Sequence, residues 1–347
     1  VINHIAYAEE VDKELLTTEY YLSFDLDSNE LMFFKNINEK VAPASLTKLM
    51  TALVLIDNYN LSDYIVISLP ENYVFEGKVA YLKPGQEMTV ENLLEFILIY
   101  SANDACFAAS ELVITGNDNF VDLMNKKANQ LGMNSTNFMN PDGLDQEGHY
   151  TTLSDLLILS KEIIKNYELM TILMRPSFIS NIEGVDKLYL NTNKLIDRNF
   201  YGLKTGWTND AGLTFIGHNQ SNDRNILTIV NKSFVNESKD NHFLDTRKLY
   251  KSSVDTYLNN LIFETNENLY RVRNSRGVFS VNTNEPWYVF GNKILTDKIL
   301  TKEIKQNKYS LSVNEKIYNI QIAESDHSVN WSFKLLRMIT QNANNIP

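Results

Sequence analysis

A serine and a lysine three residues apart are the side chains of this sequence best suited to covalent chemistry. Ser45 and Lys48 lie in Ser45-Leu46-Thr47-Lys48, which leads into an apolar run of helical period at residues 49–56. Residues i and i+3 share a helix face, so the Lys48 amine can reach the Ser45 hydroxyl. An amine whose pKa is lowered by burial and nearby positive charge can take the proton of a serine nucleophile. Taken alone, the tetrapeptide is more often a helix-capping serine beside a solvated lysine.

A second element, Lys204-Thr205-Gly206, lies just before the strand-like run of residues 212–217. A β-strand that lines a cleft can present the Lys204 ammonium and the Thr205 hydroxyl to a carboxylate. Gly206 leaves room for the backbone of a substrate beside the strand. The alternative reading of this tripeptide is a solvent-facing strand with a turn glycine.

A third element, Ser101-Ala102-Asn103, interrupts two helical patterns at residues 91–100 and 104–113. Ser-x-Asn recurs elsewhere in this asparagine-rich chain, so only its position distinguishes this copy. A junction between two helices can direct short polar side chains into a cleft. Ser101 and Asn103 are therefore candidate site residues.

In this order the three elements are similar to the signature of serine β-lactamases and penicillin-binding proteins. The chain resembles the low-molecular-mass penicillin-binding proteins that act as D-alanyl-D-alanine carboxypeptidases. The resemblance extends over roughly residues 15 to 260. Besides the three elements, it rests on residues 43–52, 140–144, 148–152 and 202–212.

The resemblance implies acyl transfer in two steps. Ser45 attacks the carbonyl between the two terminal D-alanines of a peptidoglycan stem pentapeptide, Lys48 takes its proton, and Ser101 relays a proton to the leaving amine. The oxyanion lies between the backbone N–H groups of Ser45 and Trp207. Water then hydrolyses the acyl-enzyme, whereas a β-lactam antibiotic stays attached as a covalent inhibitor. The reaction needs no metal or organic cofactor.

The same resemblance predicts which residues bind the substrate. Asn103 is expected to hold the peptide amide, and Lys204 either keeps Lys48 neutral or joins Thr205 at the terminal carboxylate. The residues expected to bind the substrate are Thr205, Gly206, Trp207 and His242.

Two positions depart from the family pattern. His242, before Phe243, stands where family members commonly carry an arginine that helps to bind the substrate carboxylate. Three basic residues are candidates to supply the positive charge that this arginine provides: Lys232, Lys239 and Arg247. Asp142 replaces a more usual histidine and is expected to matter for structure rather than chemistry.

Strand-like patterns at both ends of a helical middle predict an α+β fold: an antiparallel sheet flanked by helices, with a helical subdomain and the cleft at the sheet edge. A small all-β domain is expected to follow. The predicted ranges are a signal-peptide remnant or mobile N-terminus at 1–14, a catalytic penicillin-binding domain at 15–262, the β domain at 263–330, and an amphipathic tail at 331–347.

Bulk properties are typical of an exported enzyme. The net charge of −11 argues against nucleic acid as a partner. The five histidines show no paired spacing that indicates a metal site. We expect export to the extracytoplasmic face of the bacterial cell membrane or to the cell wall, because residues 6–8 have the small-x-small pattern of a leader cleavage site. The tail carries a tryptophan and basic residues that suit a membrane surface.

Three alternatives stay open at this point. A peptidoglycan DD-transpeptidase differs only in using an amine instead of water as the acceptor. A β-lactamase needs a positioned carboxylate for deacylation, and Glu147 is the loop candidate. A non-catalytic peptidoglycan-binding scaffold has no need for the complete set of candidate catalytic residues.

Overall fold

The computed structural model describes residues 15–321, with gaps at 71–73, 114–117, 183, 222–223, 235–238, 264–267, 275–276, 283–286, 293–300, 306–307 and 314–315. The chain divides into two compact units, residues 1–253 and 254–347. The sequence predicts this boundary near residue 262, and the roles given to the ranges stay predictions. The predicted leader at 1–14 and the tail at 331–347 lie outside the described residues.

The first unit contains nine strands and seven helices among its described residues, the last helix running to Thr256. The strands are β1 (Tyr20–Asp25), β2 (Glu30–Lys35), β3 (Tyr64–Val66), β4 (Glu87–Thr89), β5 (Ser177–Ile182), β6 (Val185–Leu190), β7 (Phe200–Thr208), β8 (Gly212–Ser221) and β9 (Arg224–Ser233). The helices are α1 (Lys48–Ile56), α2 (Val90–Glu95), α3 (Asn103–Leu112), α4 (Phe120–Leu131), α5 (Leu153–Lys165), α6 (Tyr167–Leu173) and α7 (Asn241–Thr256).

The central sheet has five strands in the order β2-β1-β9-β8-β7, and every neighbouring pair is antiparallel. The sequence predicts a β-hairpin from strand-like runs at residues 20–25 and 31–34 around a turn at 27–29, and β1 and β2 confirm it, with Tyr21 opposite Lys35 and Asp25 opposite Glu30. Strand β7, which carries Lys204-Thr205-Gly206, is the edge strand. The edge position leaves one side of β7 open to a ligand.

Helices cover both faces of this sheet. Ser23 and Phe24 are neighbours on β1, so their side chains point to opposite faces. Ser253 of α7 donates a hydrogen bond to Ser23 Oγ at 2.7 Å, and the Lys161 amine of α5 lies 3.9 Å from the centre of the Phe24 ring. Helices α7 and α5 therefore pack on opposite faces, which confirms the predicted arrangement.

Helix α1 lies in the interior of the first unit. Its residues Lys48 to Leu55 are all buried, and they are apolar except for Lys48 and Thr51. A helix that is apolar on every side is stable only when surrounded by other elements. Helices α3, α4 and α5 contact it. A short 3₁₀ turn, Ala44–Thr47, precedes α1 and carries Ser45.

The second unit contains short antiparallel strands in its described part. They are β10 (Tyr257–Phe263), β11 (Asn268–Asn274), β12 (Gly277–Asn282), β13 (Trp287–Asn292), β14 (Thr301–Lys305), β15 (Lys308–Val313) and β16 (Lys316–Gln321). Strand β10 pairs with β13, β11 with β12, and β15 with both β14 and β16. The small all-β domain stays a prediction.

Candidate active site

The Ser45 hydroxyl and the Lys48 amine are in direct contact, as their spacing predicts. Lys48 Nζ donates a hydrogen bond to Ser45 Oγ at 2.9 Å. The same amine donates to Asn103 Oδ1 at 2.8 Å and to the Asp142 carbonyl at 2.5 Å. Lys48 has no solvent-exposed surface. The amine is therefore a buried group held by three oxygens.

Asn103 joins this amine to the cleft wall at residues 76–78. Its side-chain amide donates to the Glu76 carbonyl at 2.7 Å, and its backbone N–H donates to the Lys78 carbonyl at 2.7 Å. A Cβ on Gly77 would approach the Asn103 amide nitrogen to 2.7 Å, so only glycine fits there without movement. The carboxylate of Asp104 accepts the backbone N–H groups of Ala80 and Leu82 at 2.9 Å each.

The local backbone directs Ser101 into the cleft. The helix that begins with α2 widens into a π-helical turn at Phe96–Tyr100, and Ser101 then adopts a left-handed conformation with φ of 69°. Such turns and positive φ angles at non-glycine residues occur preferentially at functional sites. Helix α3 restarts at Asn103, so Ser101 and Asn103 occupy the break between two helices.

Ser101 is bonded to the second lysine of the site. Lys204 Nζ donates to Ser101 Oγ at 2.8 Å and to the Thr205 carbonyl at 3.1 Å. Lys204 is 1% exposed. Burial, together with the positive charges of Lys48 and Lys78, holds its pKa well below the usual value for lysine. The site thus contains two serine–lysine pairs: Ser45 with Lys48, and Ser101 with Lys204.

Two glycines hold the backbone of the Ser45 turn from separate segments. A Cβ on Gly206 of β7 would lie 3.0 Å from the Ser45 nitrogen, and one on Gly143 would lie 1.9 Å from the Ala44 carbonyl oxygen. Gly143 also has φ of +89°, which disfavours any side chain. The edge strand and the loop at residues 140–144 can therefore contact this turn only with glycine at these positions.

The remaining predicted residues line the same cleft, whose volume is about 910 Å³. Thr205 donates a hydrogen bond to Thr192 Oγ1 at 2.8 Å, and Trp207 is 57% exposed. His242 is 5% exposed and lies edge-on to Phe215. Burial lowers the pKa of His242 to about 4, so the ring is uncharged at neutral pH.

The structure brings the predicted site residues together. Lys48 and Lys204 are bonded to residues of the cleft wall. The others line the cleft: Ser45, Ser101, Asn103, Thr205, Gly206, Trp207 and His242. Sequence reasoning missed the contributions of Glu76, Thr192 and Gly143. Glu76 acts through its backbone carbonyl, and no residue pattern shows where a carbonyl points. The glycine within residues 140–144 was noticed only as part of a family motif.

Asp142 agrees with the structural role expected for it, and Cys106 is a buried residue of α3. The Asp142 main-chain carbonyl, rather than its carboxylate, contacts Lys48. The Cys106 thiol is fully buried, and burial raises its pKa to about 12. Within the described ranges, no three histidine, cysteine or acidic side chains are grouped to hold a metal ion. Among the described helices, none has both the length and the apolar character needed to cross a membrane.

Comparison of the sequence with known families and proteins agrees with the geometry. The family model for D-alanyl-D-alanine carboxypeptidase matches residues 7–234. The chain is 31% identical over 293 residues to D-alanyl-D-alanine carboxypeptidase DacF of Bacillus subtilis, covering 80% of this chain and 74% of DacF. It is 31% identical over 241 residues to DacC of Escherichia coli, covering 65% of this chain and 59% of DacC. The chain thus spans less than two thirds of the length of DacC.

Solved structures share the fold. D-alanyl-D-alanine carboxypeptidase DacD from Francisella tularensis superimposes with a TM-score of 0.69 at 21% identity, covering 92% of this chain and 94% of that one. Penicillin-binding protein D2 from Listeria monocytogenes, in its cefotaxime-bound form, gives a TM-score of 0.59 at 26% identity. That match covers 69% of this chain and 98% of the Listeria chain.

Proposed function

This chain belongs to the D-alanyl-D-alanine carboxypeptidase family, and we propose on that premise that it removes the terminal D-alanine from peptidoglycan stem pentapeptides through an acyl-enzyme on Ser45. The observation that carries the proposal is the 2.9 Å contact between Ser45 Oγ and the fully buried amine of Lys48. The family consists of penicillin-binding hydrolases, and a serine beside a lysine base is one arrangement that supports acyl transfer.

Lys48 is proposed as the base. A neutral lysine amine has two N–H donors and one lone pair. Asn103 Oδ1 and the Asp142 carbonyl can accept the two donors, which leaves the lone pair for the proton of Ser45.

Acylation then forms the bond from Ser45 Oγ to the carbonyl carbon and breaks the bond from that carbon to the nitrogen of the last D-alanine. The proton taken by Lys48 has to reach the leaving amine, and Ser101 is the proposed relay. Backbone N–H groups of Ser45 and Trp207 are proposed to stabilise the oxyanion, each contributing about 10²–10³ in rate. Water hydrolyses the resulting ester and frees Ser45.

Intact-protein mass spectrometry with benzylpenicillin tests the nucleophile. We expect a lasting adduct on the peptide that contains Ser45, because the leaving group of a β-lactam stays tethered and slows deacylation. Ser45→Ala should abolish both the adduct and the release of D-alanine from a peptide that ends in D-Ala-D-Ala. The matched control is Ser154→Ala, since Ser154 is bonded to Asn38 and does not line the cleft. A penicillin adduct on Ser45→Ala would falsify the assignment.

The same measurement separates the alternatives. Rapid loss of the drug without an adduct would favour a β-lactamase. Glu147 is exposed and does not line the cleft, which argues against it as the deacylating carboxylate. An assay with an added acceptor amine distinguishes a transpeptidase from a carboxypeptidase by the ratio of transferred to hydrolysed product.

Family members act on the cell wall outside the cytoplasm. For this chain we propose export to the extracytoplasmic face of the membrane or to the cell wall, where its peptide substrate lies. Contact of the tail at residues 331–347 with a membrane surface is part of the same proposal.

A further inference from the structure

The cleft contains several lysines, and most of their amines are already engaged. Lys204 is buried and bonded to Ser101. Lys78 lies over the Tyr100 ring, 4.0 Å from its centre, and burial lowers its pKa. The Lys204 amine is therefore closed to solvent, whereas Lys78 is exposed and its amine is held over the Tyr100 ring.

One rim of the cleft begins at Thr205 and carries a further lysine. Thr205 is bonded to Thr192, and two residues further along the chain the Lys194 amine contacts the Asp240 carboxylate at 2.7 Å. Lys239, next to Asp240, is exposed and lines the cleft. Within the described part of the chain, no hydrogen bond or ion pair engages its side chain. Among the described residues of this rim, Lys194 pairs with Asp240, which leaves the positive charge of Lys239 unmatched.

The other candidate cations are placed less favourably. Lys232 lies over the Tyr20 ring, and Arg247 is an exposed residue of α7; neither lines the cleft. His242 does line the cleft, but its ring is buried and uncharged at neutral pH.

The cleft is also lined by carboxylates, which come from other segments: Glu76, Asp142 and Asp145. An anionic end of a substrate is repelled by those carboxylates and attracted to the Lys239 rim. The substrate of the proposed reaction has such an end, the carboxylate of its last residue.

We propose that Lys239 pairs with the C-terminal carboxylate of the substrate peptide, beside Thr205, and so selects peptides with a free C-terminus. The inference rests on the proposed function, because it concerns the substrate of that reaction. The pairing makes Lys239 a specificity-determining residue that binds the substrate and takes no part in proton transfer.

The test compares two peptides that end in D-Ala-D-Ala and differ only at the C-terminus, one with a free carboxylate and one with a carboxamide. The ratio of their kcat/KM values is measured for the unaltered chain and for Lys239→Ala, Lys239→Arg and Arg247→Ala. Arg247→Ala is the matched control, because it removes an exposed cation of α7 outside the cleft. Thermal unfolding of each variant verifies the fold.

We expect Lys239→Ala to lower the carboxylate-to-carboxamide ratio by about three- to tenfold, through KM and not kcat, as for a charged contact at a partly exposed site. Lys239→Arg and Arg247→Ala should keep the ratio. An unchanged ratio in Lys239→Ala overturns the inference while D-alanine release continues. If the unaltered chain releases neither D-alanine nor D-alaninamide, the proposed function itself fails, and the inference with it.

Discussion

Two lysine amines lie inside one cleft, and a serine hydroxyl contacts each of them. Burying an ammonium ion costs several kcal/mol unless it is paired, and among the described residues no carboxylate is bonded to either amine. Carbonyl, amide and hydroxyl oxygens contact them instead. At the scale of single residues, the fold therefore accepts an electrostatic cost in order to place two buried amines beside serine hydroxyls.

Two buried histidines should make the fold sensitive to acid. Burial lowers the pKa of both His149 and His242 to about 4, from 6.5 for an unperturbed histidine. Between these values the unfolded chain binds more protons than the folded chain, so the contribution to stability is complete above pH 6.5 and is lost as the pH falls through 4. At about 1.4 kcal/mol per pKa unit, each histidine contributes roughly 3 kcal/mol.

Urea unfolding at pH 7 and pH 4.5 measures this contribution. We expect the free energy of unfolding to be lower at pH 4.5 by several kcal/mol, and NMR titration should give apparent pKa values near 4 for both rings. Equal stability at the two pH values, with both rings titrating near 6.5, would contradict the prediction.

Residue spacing showed that Ser45 and Lys48 can contact each other, because both residues lie within one helical turn, but only the family resemblance made this contact the expected one. Spacing could not predict the contact of Lys204 with Ser101, since 103 residues separate them. Their juxtaposition was expected only through the family resemblance. Thr192 was missed for the same reason: nothing in its own neighbourhood shows that Thr205 is its partner.

At the scale of elements, glycine substitutions can separate backbone strain from close packing. Gly143 and Gly85 both have positive φ, +89° and +81°, but a Cβ on Gly143 would collide with the Ala44 carbonyl whereas one on Gly85 would meet nothing within 4 Å. Gly85→Ala should cost about 1–2 kcal/mol of stability and leave acylation by benzylpenicillin unchanged. Gly143→Ala should cost more and slow acylation by at least about tenfold, because the Ser45 turn has to move.

Rates of penicillin acylation and urea unfolding curves for the two variants check this prediction. Equal effects of the two substitutions on acylation would mean that the loop at residues 140–144 does not hold Ser45 in place.

Helices and strands were predicted better than their irregularities. The paired strands β1 and β2 follow the predicted hairpin. The sequence predicts a helix that opens at residues 152–155 and ends near 166, and α5 spans Leu153–Lys165. It also predicts a helix from about residue 237 to 258, whereas α7 begins at Asn241. The π-helical turn at Phe96–Tyr100 was missed, because its residues continue the apolar pattern of α2 and a change in hydrogen-bond spacing leaves no mark on that pattern.

At the scale of the whole molecule, every residue that lines the cleft belongs to the first compact unit. A chain that ends after Tyr257 retains α7 and all of these residues. We expect it to be acylated by benzylpenicillin at a rate within about twofold of the full chain, since domains with their own core commonly fold alone. Loss of acylation with the native circular dichroism spectrum retained would show that the second unit contributes to the site.

The single cysteine of the chain has a practical consequence for following this enzyme at work. Cys106 is buried in α3, and its thiol has a pKa of about 12, so thiol reagents should leave the native protein unlabelled. Trp207, by contrast, is largely exposed at the cleft. A cysteine introduced by Trp207→Cys should therefore be the one site that accepts a fluorophore in the native state, which turns the cleft into an optical reporter of ligand arrival.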